Sequence, residues 1–497
     1  MFSAIEVLHF LVNLSVWIRD TVVGGYTLLA KACELGSSVL QLICIGPVQL
    51  LQQSRVLHYW SRTRGELFQS VMPSPSRSSI RRKRDQRLIS QGESHDSLQK
   101  GLYSFRPFVF KELSPVYSDG INKGKEPKPR SGHRIVCDEG NFYSFGGYLE
   151  ITVPFNNFEN AQGIQHLFEE LWKFNVSTQH WEYLPTEGET PKELASHSAV
   201  MHGDYMVVFG GTGVPFGTSS SNKMSICDLR TLKWQRVHTT GTPPSPQYGQ
   251  AIVLDKKCFY VIGGTTGYDY SLDVHKLDLV TFEWETLFVT RGEAREPTPR
   301  YRHEVAFDGS QIFILGGGTA SRAYDLTAVP TFDVKTREWN SVNTIGDPIG
   351  KRRFPPARKC QGAVQRGNDV FICGGYNSRY IFTDLWKLNL STLQWTRMPV
   401  KLPIPVYFHS TALTPAGCML MFGGVTNVKS NTRTNKVFKI WLTTPSLKEM
   451  CWEAVLHYQP DLKFKSRQAV LEDGIPKDLV DRIFPSNVNR ELPAPPL

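Results

Sequence analysis

The chain has 497 residues, 40% of them hydrophobic and 21% charged, and carries a formal net charge of +10. That is ordinary globular composition, and it excludes wholesale disorder, collagen and a bundle of many membrane helices. The 40 Gly, 31 Pro and abundant aromatic residues point to β structure with many tight turns, and nine scattered Cys without a C-x-x-C pair speak against a disulfide framework or a structural zinc site.

Residues 1–60 read as a hydrophobic helical segment, one or two amphipathic helices that pack on a partner or lie on a membrane. The uncharged run 35–54 is long enough to be a marginal candidate for a span. Residues 61–101 form a basic linker. Nine Arg or Lys against two acids between Arg55 and Arg87 place most of the net charge here. Positive charge held in one linker is not the spread basic face of a nucleic-acid binder. Arg81-Arg82-Lys83-Arg84 reads as a solvated basic stretch, with an import signal or a lipid contact as the alternatives. Residues 102–129 lead into the body, and Phe108–Leu113 is a strand candidate.

The body, residues 130–441, repeats itself. An apolar strand ending in a Gly pair recurs, with the first Gly at 146, 210, 263, 316, 374 and 423. Those steps lie near the roughly 50-residue period of kelch repeats. A second marker keeps the same phase: Val176/Thr178/Trp181, Leu229/Thr231/Trp234, Leu279/Thr281/Trp284, Val334/Thr336/Trp339 and Leu390/Thr392/Trp395. The expected fold is all-β, a six-bladed kelch β-propeller of four-stranded blades. The long first step places an insertion after Gly147, where Asn156, Asn157, Glu159 and Asn160 mark a polar loop. The sixth repeat lacks the Trp marker, so its outer strand must come from elsewhere, and Phe108–Leu113 is expected to supply it.

Residues 442–484 switch to helical periodicity, and 485–497 form a tail. Ser446 with Glu449 is a capping box that opens a helix. Its stripe is Leu447, Cys451 and Val455. Ser466 caps a second helix ending near Gly474, and Pro476 suits the first turn of a third with Leu479 and Ile483 on its apolar face.

The Leu447/Cys451/Val455 stripe resembles an elongin BC box. Ile475, Pro476, Leu479 and Ile483, some 20 residues later, resemble a cullin-2 box. With Arg130-Ser131-Gly132-His133, Gly210–Gly217, Gly263–Tyr268, Arg300–Glu304 and Pro405–His409, the chain from about 130 to 483 resembles the kelch substrate receptors of cullin-2 RING ubiquitin ligases. That resemblance implies a non-catalytic subunit with no cofactor, which binds elongin B, elongin C, cullin-2 and a RING-box protein. The expected localisation is cytoplasmic and nuclear, with membrane association through residues 1–60 as a further possibility. It also implies recognition of target proteins by a free C-terminus ending in a small residue such as Gly or Ala.

A terminal carboxylate calls for a guanidinium that binds it bidentately, and a small last residue calls for a closed floor with aromatic walls. Aligning the segments that precede each inner strand gathers such residues on one mouth of the channel. Arg300, Arg302 and Arg358 are the candidate carboxylate ligands, and Tyr248, Tyr301 and Tyr407 the candidate walls. The alternative for each Arg is a structural bond to a blade carbonyl, the favoured reading for Arg130. His133, His303 and His409 read as satisfied blade histidines. A kelch scaffold for signalling or cytoskeletal partners, without ligase coupling, is the second functional reading. A kelch-fold oxidase is disfavoured, because no metal-ligand cluster or catalytic triad is apparent in the sequence.

Overall fold

A computed structural model describes residues 103–115, 126–151 and 164–484. The hydrophobic segment 1–60, the linker 61–101, the polar loop at Asn156–Asn160 and the tail 485–497 lie outside the described residues. The described residues from 106 to 484 belong to one compact unit.

Six antiparallel sheets form the blades of the propeller. Blade one consists of Arg134–Cys137, Asn141–Phe145, Leu171–Asn175 and His180–Leu184, from the channel outward. The innermost strands of blades two to six are Ser198–His202, Ala251–Asp255, Glu304–Phe307, Gly362–Arg366 and Ser410–Leu413. Two blades depart from the expected four strands. Glu187–Gly188 and Thr240–Gly241 add a fifth, parallel strand outside blades two and three.

Ring closure uses the expected segment. Lys111–Glu112 pairs antiparallel with Val437–Trp441 as the outer strand of blade six. Backbone bonds from Phe108 N to Trp441 O and from Leu113 N to Val437 O extend that seam.

Each Gly pair ends the second strand of its blade, one strand out from the channel. The second Gly donates its N–H to the next blade: Gly147 to Leu194 O, Gly211 to Gln247 O, Gly264 to Arg300 O, Gly317 to Arg358 O, Gly375 to Val406 O and Gly424 to Arg130 O. A Cβ on Gly146 would stand 2.6 Å from Leu194 O, so no side chain fits where neighbouring backbones meet.

The core lies between blades. The marker Trp stands on an outer strand of its own blade, and its ring also reaches the blade before. Trp234 meets Phe145, Trp284 meets Phe209, and Trp181 meets Phe422 across the closure at 5.0 Å. Trp181, Trp234 and Trp395 are buried. Truncating such a ring to Ala typically costs about 3–5 kcal/mol.

Three short helices follow blade six: α1 (Leu447–Tyr458), α2 (Arg467–Glu472) and α3 (Lys477–Ile483). Ser446 and Ser466 cap α1 and α2 by accepting backbone N–H bonds. Pro476 is the residue just before α3 and not a member of its first turn. No helix among the described residues is long and apolar enough to cross a membrane.

Candidate functional site

The strand that opens each blade is preceded by a residue in the left-handed region: Gly132, Ser196, Gly249, Arg302, Cys360 and Phe408. Their backbones bond head to tail around the channel. Ser196 N donates to Gly132 O, Gly249 to Ser196, Arg302 to Gly249, Cys360 to Arg302, Phe408 to Cys360 and Gly132 to Phe408. This closed circle fixes the side chains of Ser196, Arg302, Cys360 and Phe408 at one mouth of the channel.

Two positions before that circle, Arg130, Arg300 and Arg358 occupy equivalent places. Their Nη1 atoms donate to Gly146 O, Gly316 O and Gly374 O respectively, each the carbonyl of the first Gly of its own blade's pair. Arg358 also grips Asp384 through two bonds of 2.8 and 3.0 Å, with both groups buried. Burial alone would raise the Asp384 carboxyl. The charge and hydrogen bonds of Arg358, with the Trp386 indole N–H, outweigh it and hold the carboxyl below its ordinary value. Burial pushes Arg300 down to about 10, and its guanidinium lies over the Tyr324 ring. Arg130 pairs with Glu170 at 2.7 Å. Arg300 and Arg358 thus have the geometry of blade locks, the structural alternative, and they are directed into their own blades.

Arg302 differs. Its stem passes over Gly249, and its guanidinium lies 4.5 Å from the centre of the Phe408 ring, so it reaches across the channel. Its side chain makes no hydrogen bond or ion pair among the described residues, and its Nε is sealed from water. Burial lowers its pKa. Below it, Arg134 pairs with Glu304 at 3.3 Å and bonds His197 O. Burial raises the Glu304 carboxyl, with Arg134 and, more weakly, Arg302 opposing. Arg134 and Glu304 had no signal in the sequence beyond their place in the inner strands. The cavity among Arg134, Arg302, Glu304 and Phe408 encloses about 10 Å³, room for about one water. The mouth therefore has a closed floor.

Aromatic side chains rim it. Tyr248 and Tyr301 meet at 6.4 Å, Tyr270 and Tyr301 at 5.3 Å, and Tyr376 stacks on Tyr407 at 5.0 Å. All three Tyr expected as walls stand at this mouth. Lys359 is occupied, donating to Thr319 O and Ala320 O. His133, His303 and His409 are buried, and burial holds His197, His303 and His409 down to about 3. They are neutral at physiological pH. No group of metal-ligating side chains occurs among the described residues.

The helices dock at the other end of the strands. Arg482 of α3 pairs with Glu449 of α1 through two 2.7 Å bonds and reaches Glu139 in the first hairpin of blade one. A Cβ on Gly140 of that hairpin would stand 3.0–3.1 Å from Arg482. Trp452 Nε1 donates to Ser177 Oγ, and Glu453 pairs with Lys439 of blade six. Thus α1 turns Met450, Trp452 and Ala454 inward, leaving Leu447 and Val455 half-buried and Cys451 exposed. Of the other four residues, Leu479 and Ile483 are buried with Trp452, Leu462, Val470 and Val480 in the core of the helical appendage. Ile475 is half-buried and Pro476 exposed.

Family models match two stretches: the KLHDC2/KLHL20/DRC7 Kelch-repeats domain over residues 108–317 and the Attractin/LZTR1 beta-propeller over 213–470. The chain is 46% identical over 359 residues to Kelch domain-containing protein 10 of Xenopus laevis, covering 72% of this chain and 86% of that one. It is 46% identical over 362 residues to the Homo sapiens protein of the same name, covering 73% and 81%. The Drosophila melanogaster homolog is 38% identical over 412 residues, covering 78% and 67%.

Proposed function

The chain belongs to the Kelch domain-containing protein 10 family of kelch-repeat propellers, and we propose that within this fold it is a non-catalytic substrate receptor of a cullin-2–elongin B/C RING ubiquitin ligase. Its channel mouth receives the free C-terminus of a target protein that ends in a small residue such as Gly or Ala. The observation that carries this reading is the charge balance of the mouth. Arg134 and Arg302 bring two guanidinium groups and Glu304 one carboxylate, and Glu304 is bound to Arg134. Arg302 is half-buried with its Nε sealed from water, and no acid among the described residues bonds its guanidinium. A guanidinium held partly out of water with no bonded acid is placed to take an incoming carboxylate by a charge-assisted, bidentate bond. The closed floor admits only a small last side chain, and Tyr248, Tyr301 and Tyr407 supply apolar walls.

The opposite end of the ring carries the helices, so a bound target and an adaptor would not compete for one face. Cys451 is exposed and Leu447 half-buried on the face that an elongin-type adaptor would cover. Burying one Leu side chain contributes about 1.5–3 kcal/mol, enough for an interface anchor. A second reading, a kelch scaffold without ligase coupling, is favoured by the burial of Leu479 and Ile483, which suits a cap. A pull-down separates the two. Wild-type chain retains elongin B, elongin C and cullin-2, and Leu447→Ala with Cys451→Ala loses them; equal retention by both, or by neither, removes the ligase reading.

A further inference from the structure

The loops that join the outer strand of one blade to the mouth of the next differ in charge. Loop 237–247 after blade two and loop 402–407 after blade five hold no acid, Lys or Arg. Loop 185–195 after blade one sets Lys192 against Glu187, Glu189 and Glu193, and loop 289–299 after blade three balances Arg291 and Arg295 with Glu293 and Glu296. Loop 344–357 after blade four is different. Its Lys351, Arg352 and Arg353 are exposed, and its one acid, Asp347, is buried.

Asp347 is committed to the loop itself. Ile349 N donates to its Oδ1 at 2.9 Å, and Arg397 N, from the outer strand of blade five (Gln394–Lys401), donates to its Oδ2 at 2.9 Å. Asp347 N donates to Arg353 O at 2.7 Å and closes 347–353 at its base. A Cβ on Gly346 would stand 3.0 Å from the Phe354 ring, so the base is tightly packed. The tip thus stands on a fixed base, with Ile349 94% exposed, and Ile345 just before the base is 53% exposed. Beyond the base, Arg397, Pro399 and Lys401 alternate on the exposed face of the strand. None of these five cations is bonded to a carboxylate among the described residues. The bonds that seat α1 and α3 go to blades one and six, away from this edge.

The edge is closed to a further β-strand. Trp395 N donates to Ile345 O, Arg397 N is taken by Asp347, and Pro399, next in the same register, has no N–H to offer. Recognition here must come from side chains. The cations run from the loop tip (Lys351, Arg352) through its base (Arg353, Arg397) to Lys401, about 13 Å farther along the strand. A flat bilayer touches one level of a protein, whereas an extended chain can follow the strand past all five. We propose that this edge of blade five is a docking strip for an acidic segment of a partner protein, with Glu or Asp side chains against the cations and an apolar side chain against Ile349. The strip is separate from the channel mouth and does not depend on the receptor reading.

The test measures binding of the full chain to a fluorescent Glu-rich peptide that carries two Leu residues and an amidated C-terminus, which keeps the mouth out of the measurement. The wild type is expected to bind it, less tightly as salt is raised. Lys351→Glu with Arg352→Glu should weaken binding about tenfold, and both side chains are exposed, so folding is preserved. Ile349→Ser should weaken it about fivefold at unchanged net charge. Lys233→Glu with Lys257→Glu makes the same change in net charge at exposed positions of blades two and three and should leave affinity unchanged. No binding by the wild type, or equal weakening by the two charge-reversed pairs, overturns the inference. Binding of phosphatidylcholine–phosphatidylserine vesicles but not of the peptide also overturns it, and assigns the strip to a membrane.

Discussion

Removing the acid from the Arg358–Asp384 pair should leave one of the least tolerable groups in the propeller. Arg358 is 0% exposed and already bonds Gly374 O and Pro356 O, so in Asp384→Ala it cannot turn toward water. Breaking a buried pair by deleting one partner costs about 3–5 kcal/mol. With about 2.1 cal/mol/K of unfolding entropy per residue over the folded unit, 4 kcal/mol corresponds to about 5 °C in Tm. Glu170→Ala is the internal control. It deletes the acid opposite Arg130, but the Glu170 side chain is 33% exposed, so water can replace it and the loss should be near 1 kcal/mol. Thermal or urea unfolding of the two variants reads the difference. Equal losses would refute the view that Arg358 is a blade lock, and a loss of peptide affinity without a loss of stability in Asp384→Ala would return Arg358 to the binding site.

The buried histidines predict a pH limb. His197, His303 and His409 are held down to about 3 by burial, while an unfolded His titrates near 6.5, so the unfolded chain takes up protons first and stability falls as pH drops below about 6.5. Gln250 and Gln361 occupy the same position in blades three and five, so His303→Gln should flatten that limb in pH-dependent urea unfolding. Deleting residues 106–113 removes the strand that closes blade six, and limited proteolysis should then cut at Val437–Trp441. Gly140→Val should push α3 off the first hairpin, seen as faster proteolysis of α1–α3 with the propeller intact.

The ring was readable from residues because its two markers answer to packing that only a blade satisfies. A Gly pair is required where neighbouring backbones meet, and a Trp is required to bridge blades. Closure by Lys111–Glu112 followed from counting strands. The arginines were harder. Arg300 and Arg302 stand two apart, and in a strand they would share a face. Arg302 takes a left-handed φ of 55°, which breaks the alternation and turns one Arg into the blade and the other across the channel. On the helices, an apolar stripe is required equally by a docking face and by an internal core. The sequence therefore could not separate exposed Cys451 from buried Leu479 and Ile483.

The most direct test of the carboxylate-reading mouth is the affinity of the full chain for a Gly-ended peptide with and without C-terminal amidation, in wild type and Arg302→Gln. The expected result is a large preference for the free acid in wild type that collapses in Arg302→Gln while the amide affinity barely moves. Equal binding of acid and amide by the wild-type chain would contradict the account.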